Sequence, residues 1–304
     1  TISGFVAQQV LAWDDGEESN VYITDTGSVS IGTHVKFTGQ ATIAPGWSAG
    51  YVLKLETMTN DSLGHDQDND NGGNVFAQTQ GRTDSISVES SYWFVKSESL
   101  GRLSVGQQSS AADNQAILPD GSGTLVVANY VLYDARNFLI KQNGGGSSGV
   151  RWLQLAACAP VGGAVSGDCD GYPYPNIRYD TPVFAGFSAS ASWGADDIWA
   201  VSLRYAGEFS GFKIAAAAAY NHTNDENGPF NPDSALFDPD GNGDANPIVG
   251  DESIFGENFE ASAFQVGGYL EHVPTGLWVY GAYSHEYNDT PGATALKDDG
   301  YAYY

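Results

Sequence analysis

The chain has 304 residues with 37 Asp and Glu against 12 Lys and Arg, a formal net charge of −25 at pH 7. That balance argues against nucleic acid or anionic lipid headgroups as main partners. The apolar content is 41%, as in a soluble protein, and the longest clean apolar run, Ile214–Tyr220, is mostly alanine and far too short to cross a bilayer as a helix.

The first strand is expected over about Thr1–Trp13, followed by a long acidic loop, Asp14–Ser30. Over Thr33–Leu55 the sequence reads as a hairpin. Val35, Phe37, Gly39, Ala41 and Ile43 share one face, and His34, Lys36, Thr38, Gln40 and Thr42 the other. Pro45-Gly46-Trp47 turns the chain, and Ala49, Tyr51, Leu53 and Leu55 then alternate with Ser48, Gly50, Lys54 and Glu56. Successive side chains of a strand point to opposite faces, so a period of two marks a two-faced ribbon. A second loop, Thr59–Asp84, is rich in Asn, Asp and Gly. The fourth strand, Ile86–Lys96, is expected to carry Ile86, Val88, Tyr92 and Phe94 on one face. Leu100-Gly101-Arg102 turns into a fifth, where Leu103 and Val105 alternate with Arg102 and Ser104.

Gln108–Pro175 is the longest irregular stretch, and segments of that kind within compact proteins are usually functional. The sixth strand, Asn176–Val183, alternates Ile177, Tyr179 and Val183 with Arg178 and Asp180. Phe184-Ala185-Gly186-Phe187 turns it into a seventh, in which Phe187, Ala189, Ala191 and Trp193 oppose Ser188, Ser190 and Ser192. A short acidic link at Asp196-Asp197 leads to an eighth strand with Trp199, Val201, Leu203 and Tyr205 opposite Ser202 and Arg204. Phe209-Ser210-Gly211-Phe212 repeats the turn into a ninth. Asn221–Phe259 is another acidic loop; Asp225 to Glu257 holds nine carboxylates and no Lys or Arg. The tenth strand sets Phe264, Val266, Gly268 and Leu270 against Gln265 and Glu271, Pro274-Thr275-Gly276 turns it, and the eleventh is Leu277–Tyr287. A few residues of a twelfth follow.

Short turns alternating with long loops on two-faced ribbons are the pattern of an all-β fold, a transmembrane antiparallel β-barrel. Each crossing then needs only ~9–11 residues, half of them facing lipid. The 38 Gly, 17 Tyr and 7 Trp suit turns and membrane–water interfaces. A barrel must close so that no strand edge meets lipid, and single-chain bacterial barrels have even strand numbers. About 11–12 strands are therefore expected to be part of a longer barrel whose chain continues, and Thr1, reading as mid-strand, implies a leader either removed or lying outside this sequence.

Ser91-Tyr92-Trp93-Phe94-Val95-Lys96-Ser97 through Leu100-Gly101, Ser104-Val105-Gly106-Gln107-Gln108, Ile177 through Phe187, and Leu203-Arg204-Tyr205-Ala206-Gly207-Glu208-Phe209 resemble alphaproteobacterial porins. The likeness is scattered over most of the chain, strong in strand–turn–strand segments and weak in loops, and the family's closing strands with their terminal aromatic are absent. The resemblance implies one porin domain over 1–304 and sixteen strands in the full protein. It implies a homotrimer among lipids and lipopolysaccharide in the outer membrane of a Gram-negative bacterium, passing small hydrophilic solutes without a required cofactor. It also implies that the third loop, 108–175, folds into the pore.

Charge placement adds a candidate site. Lys36, Lys54, Arg102, Arg178, Arg204 and Lys213 all fall opposite the apolar residues of their strands. A Lys or Arg on the lipid face near the midplane would cost ~2–4 kcal/mol, so these residues should line the lumen. The third loop supplies Asp113, Asp120 and Asp134. Opposed across a narrow gap, Lys36, Lys54, Arg102, Arg178 and Arg204 and these three aspartates would form a charged constriction that sets ion selectivity. Cys158 and Cys169, an even pair in one Gly/Pro-rich loop without a C-x-x-C motif, suggest a structural disulfide contributing roughly 2–3 kcal/mol.

Asp238, Asp240, Asn242 and Asp244 have the D-x-D-x-N-G spacing of a Ca²⁺ loop, with Val249 where its bidentate Glu is expected and Asp251 or Glu252 as substitutes. Asp66, Asp68 and Asp70 repeat the spacing. Ca²⁺ in these loops would bridge carboxylates that otherwise repel. The five histidines lie far apart, and there is no nucleophile elbow, H-E-x-x-H or phosphate loop. Two other readings fit parts of the pattern: a secreted calcium-stabilised β-sandwich that binds carbohydrate, and a barrel enzyme with catalytic residues at its rim.

Overall fold

A computed structural model describes residues 1–25, 32–57, 60, 62–70, 86–123, 135, 137–152, 173–194, 198–223, 261–288 and 299–303. Twelve strands form one antiparallel sheet. In sheet order they are β1 (Ile2–Phe5), β4 (His34–Ala44), β5 (Trp47–Thr57), β6 (Ile86–Ser97), β7 (Gly101–Gln108), β10 (Tyr174–Asp180), β11 (Phe187–Gly194), β12 (Ile198–Phe209), β13 (Phe212–Thr223), β14 (Ala261–His272), β15 (Leu277–Asn288) and β16 (Asp299–Tyr303). The order follows the chain, apart from two short ribbons set off from the sheet: β2 (Gln8–Asp14) with β3 (Ser19–Asp25), and β8 (Leu139–Lys141) with β9 (Ser147–Arg151). Among the described residues there is no α-helix and no ladder joining β1 to β16.

Pairing assigns every spanning side chain to a face, because directly opposed residues of an antiparallel pair point the same way. Phe37↔Leu53, Tyr51↔Trp93, Val95↔Leu103, Ala189↔Leu203, Val201↔Tyr220 and Ile214↔Leu270 run along one face. Many large apolar side chains on this face are open: Tyr51 is 53% exposed, Leu203 53% and Trp193 55%. On the opposite face lie Lys36↔Lys54, Lys96↔Arg102, Arg178↔Ser104, Ser188↔Arg204 and Lys213↔Glu271. The polarity is inverted relative to a soluble sheet: greasy residues face out and polar ones face in.

The short connections are tight for a local reason. Ala185 and Gly186 have φ of 50° and 88°, and Ser210 and Gly211 have 50° and 82°. Positive φ at both central residues is the signature of the type I′ hairpin turn, whose twist matches that of the flanking strands. Phe184 and Phe187 close the first of these turns with reciprocal backbone bonds of 2.8 and 2.9 Å.

Four expectations change. The first strand does not run unbroken to Trp13: after Phe5 the chain leaves the sheet, and Gln8–Asp14 pairs instead with Ser19–Asp25. The Asp14–Ser30 stretch therefore contains a strand. The Gln108–Pro175 stretch is not wholly irregular either, since it holds the β8–β9 ribbon. Most informative is β6. Lys54 pairs with Ser90 but Leu55 pairs with Val88, so Glu89 is an extra residue in a β-bulge. The alternation skips one place there. Ile86 and Val88 lie on the apolar face, while Tyr92 and Phe94, opposite Val52 and Gly50, lie on the polar one.

Replacing Leu203 by Arg puts a charge on the apolar face and should lower the unfolding free energy of lipid-embedded protein by ~2–4 kcal/mol, whereas Gln40→Arg on the polar face should change it by under ~1 kcal/mol. Urea titration in vesicles that returned equal midpoints for the two variants would contradict the face assignment.

Candidate functional site

Beyond β7 the chain does not leave the wall. Residues 109–122 lie against the polar face of β10–β15, held by bonds from five side chains of the wall. Arg178, on β10, donates from Nη1 to the carbonyls of Ser110 at 2.7 Å and Ser109 at 3.3 Å. The Ala111 N–H donates to Ser192 Oγ on β11 at 2.9 Å. Arg204 Nε on β12 donates to Gln115 Oε1. Gln265 on β14 uses both ends of its amide, accepting from the Ala116 N–H and donating to the Ala112 carbonyl, each at 2.8 Å. Tyr280 on β15 donates to the Ala116 carbonyl at 2.7 Å. At the root of the segment, Asn176 Nδ2 donates to the Gln108 carbonyl at 2.6 Å.

The segment can come this close because of what the wall lacks. Ala111 and Ala112 pack on Ala200 and Ala219, all buried. Gly267 faces Ala116, and a Cβ at that position would run into the Ala116 carbonyl oxygen. The alanine-rich β13 and Gly267 of β14 therefore make a shallow seat on which backbone approaches backbone.

Apart from the Lys213–Glu271 pair at 3.6 Å, two groups of charges stand out on the polar face. Lys36 sits opposite Lys54 in register, and Lys54 forms an ion pair with the bulge residue Glu89. Glu56, fully buried, lies two residues further along β5 on the same face. The second group centres on Arg178. Its Nε and Nη2 reach Asp180 Oδ1 at 3.0 and 2.9 Å, and Ser190 Oγ donates to the same oxygen at 2.6 Å. Arg102 lies opposite Asp180, with its guanidinium carbon 4.4 Å from the Phe94 ring centre and 5.4 Å from that of Tyr92. Cations over ring faces are attracted by the ring quadrupole.

Asp113 belongs to this second group but lies on the crossing segment, outside the strands. Its Oδ1 accepts from Asn114 Nδ2 at 2.6 Å. Burial pushes its carboxyl up to about 6, against the lowering influence of hydrogen bonds from Ser109 and Asn114 and of the Arg178 charge; Glu89 adds to the rise. Asp120 closes a local turn by accepting from the Ser122 N–H at 2.8 Å.

The structure thus gathers Arg102, Arg178, Arg204 and Asp113, and places Lys36 and Lys54 on the same face with Glu89. Asp134 lies outside the described residues, as do Cys158, Cys169, Asp238, Asp240, Asn242 and Asp244. Asp66, Asp68 and Asp70 are described. Asp66 Oδ1 accepts from the Asp68 N–H at 2.9 Å, and among the described residues no group of three or more His, Cys, Asp or Glu is placed to hold a metal ion. The earlier D-x-D-x-D spacing forms a local turn there.

Sequence reasoning missed Glu89, Asp180, Gln115, Gln265 and Tyr280 as site residues. Asp180 was legible, because it alternates in phase with Arg178. Glu89 was not, because the bulge that turns it inward is a property of pairing.

A family model described as Gram-negative porin matches residues 1–303. No curated protein matches the chain. Among solved structures it is similar to OmpT (in-vitro folded), an outer membrane protein of Vibrio cholerae, with 9% identity and a TM-score of 0.48 over 96% of this chain and 65% of that one. It is similar to Salmonella typhi OmpF in complex with daunomycin, with 12% identity and a TM-score of 0.42 over 94% of this chain and 72% of that one. It is also similar to an anion-selective porin from Comamonas acidovorans, with 13% identity and a TM-score of 0.40 over 95% and 79%. The chain spans less than two thirds of the length of the Vibrio cholerae protein.

Removing the Gln265 amide leaves a buried N–H and a buried carbonyl at Ala116 and Ala112 short of a partner, at about 1–3 kcal/mol each. Gln265→Ala should therefore speed amide hydrogen exchange across 111–117 by at least about tenfold while the strand amides of β12–β13 hold their protection. Unchanged exchange in that segment would mean that the glutamine does not pin it.

Proposed function

The chain belongs to the Gram-negative porin family, and from that premise we propose that it forms most of the wall of a water-filled outer-membrane channel, through which small hydrophilic solutes and ions diffuse passively. The observation that carries this is the inverted polarity of the twelve-stranded sheet, with open apolar side chains on one face and Lys36, Lys54, Arg102, Arg178, Arg204 and Lys213 on the other. A wall of this kind suits lipid outside and water inside. Family and fold point to a channel rather than to an enzyme.

Segment 109–122 is the narrowing element in this reading. It adds Asp113 and Asp120 to a wall bearing Arg102, Arg178 and Arg204. A solute would pass between a basic strand surface and an acidic loop, and the transverse field would orient dipolar solutes. Much of the basic charge is locally matched, Arg178 by Asp180 and Lys54 by Glu89. Selectivity should therefore depend on the few charges left in excess, with Arg102 and Asp113 foremost among them. Assembly as a homotrimer among lipids and lipopolysaccharide belongs to the same proposal. So do a disulfide between Cys158 and Cys169 and Ca²⁺ at Asp238, Asp240, Asn242 and Asp244.

Purified protein in planar bilayers should give discrete conductance steps, and a silent bilayer would end the channel reading. Arg102→Ala should move the reversal potential in a salt gradient toward cation preference and Asp113→Asn toward anion preference; identical potentials in both variants would remove the constriction. The Asp113 carboxyl, raised to about 6, gains its proton as pH falls from 7.5 to 5. One negative charge beside Arg178 then disappears. Wild-type selectivity should shift toward anions with a midpoint near pH 6, and the Asp113→Asn channel should show no such step.

A further inference from the structure

Parts of the long connections on one side of the sheet fold together. The β2–β3 hairpin and the β8 region share a small core of Leu11, Tyr22 and Phe138, with Trp13 packed against it, and residues 62–70 reach it through His65, whose ring centre is 5.2 Å from that of Tyr22. Gln67 stitches the pieces by pairing with both backbone groups of Leu139, each at 2.9 Å. Tyr22 OH lies 3.2 and 3.3 Å from the Asp66 and Gln67 carbonyls. Beside this core is a cavity of about 460 Å³, within the size range of small-molecule sites.

Its lining combines aromatic rings with carboxylates. Trp13 and Phe138 stand nearly perpendicular, at 72° with ring centres 5.4 Å apart, and form an internal corner. Trp152, 40% exposed, adds a third ring. Asp14 and Asp15 border the same space. Lys141 also lines it, but its Nζ is engaged by Glu17 Oε2 at 2.8 Å and Asp15 Oδ2 at 3.2 Å. The Asp15 carboxyl is held down to about 2, first by the Glu18 N–H and also by the Glu17 N–H and Lys141. Two carboxylates, Asp15 and Glu17, therefore pair with the one ammonium, and Asp14 borders the cavity as a further negative charge on a protein of net charge −25.

We propose that this loop cavity is a binding site for small organic cations, with the ring corner of Trp13, Phe138 and Trp152 receiving an alkylammonium group and Asp14 and Asp15 supplying the counter-charge. Ring faces attract cations through their quadrupole, and the attraction grows when water is excluded. The negative field of the whole chain raises local cation concentration at the mouth of such a cleft. A neutral ligand of the same shape would gain the apolar contact but neither electrostatic contribution. The site is built from the connecting loops and shares none of its lining with the crossing segment, so it stands or falls separately from conductance.

The test is calorimetric titration of the detergent-folded protein with choline and with 3,3-dimethylbutan-1-ol, its uncharged isostere. Choline should bind saturably, and the isostere at least about tenfold more weakly. Trp152→Ala removes an exposed ring without touching the Leu11–Tyr22–Phe138 core and should weaken choline by about tenfold. Asp14→Asn keeps the bond from the Gly16 N–H to Oδ1 while removing the charge, and should weaken choline by a few-fold, roughly 2–5. Equal affinity for the two ligands, no saturable binding, or choline affinity unchanged in both variants would overturn the proposal.

Discussion

Everything in this molecule depends on one constraint: within lipid, a strand's backbone N–H and C=O groups have no water to turn to, so each must find its partner on a neighbouring strand. Pairing each strand to the next in chain order meets that demand with the shortest possible turns, which is why Ala185-Gly186 and Ser210-Gly211 take left-handed conformations and the opposite connections are left free to be long. Once pairing is set, the pleat sorts side chains by face with no further instruction. Phe37, Leu203 and Ile214 go to lipid and Lys54, Arg178 and Arg204 to the other side because register puts them on opposite faces of the one sheet.

That sorting creates a second problem, because it concentrates like charges on one surface. Lys36 and Lys54 lie directly opposite each other. The bulge at Glu89 answers it, since the extra residue brings a carboxylate to Lys54 and carries Tyr92 and Phe94 over to the polar face, where they receive the Arg102 guanidinium. Arg178 is met by Asp180, two residues along its own strand. The polar face is therefore a set of neighbouring ion pairs and cation–ring contacts, not a continuous basic stripe. The remaining donors of Arg178 and Arg204 reach outward to the segment that crosses them.

The crossing segment and the loop cluster use the same physics differently. Segment 109–122 is seated on small residues, Ala200, Ala219 and Gly267, and is fastened by side-chain amides and hydroxyls that satisfy its backbone where water is scarce. The loop cluster lies beyond the strands and makes its own small aromatic core, tied by Gln67 acting as a surrogate strand partner. One is ordered by the wall and the other by itself.

The strands, their faces and most of their turns were legible in the sequence, because a period of two and a Gly-containing turn are local properties that need no partner to be recognised. The Phe-x-Gly-Phe repeats marked both type I′ turns, and the parity of Arg102, Arg178 and Arg204 assigned them to the polar face before any pairing was known. The β2–β3 hairpin was not legible, because a blurred alternation over Thr1–Trp13 does not say which partner each half takes. Nor was the phase slip at Glu89, which exists only in the register between β5 and β6. The seat of the crossing segment was the least visible, since Gln265 meets Ala116 and Ala112 across 149 and 153 residues of chain. Sequence alone thus determined that this is a two-faced β wall and which charges line its wet side. Only the tertiary structure decided which of those charges are matched and what lies across them, because such contacts are set by the register of strands remote in the chain and not by the pattern along any one of them.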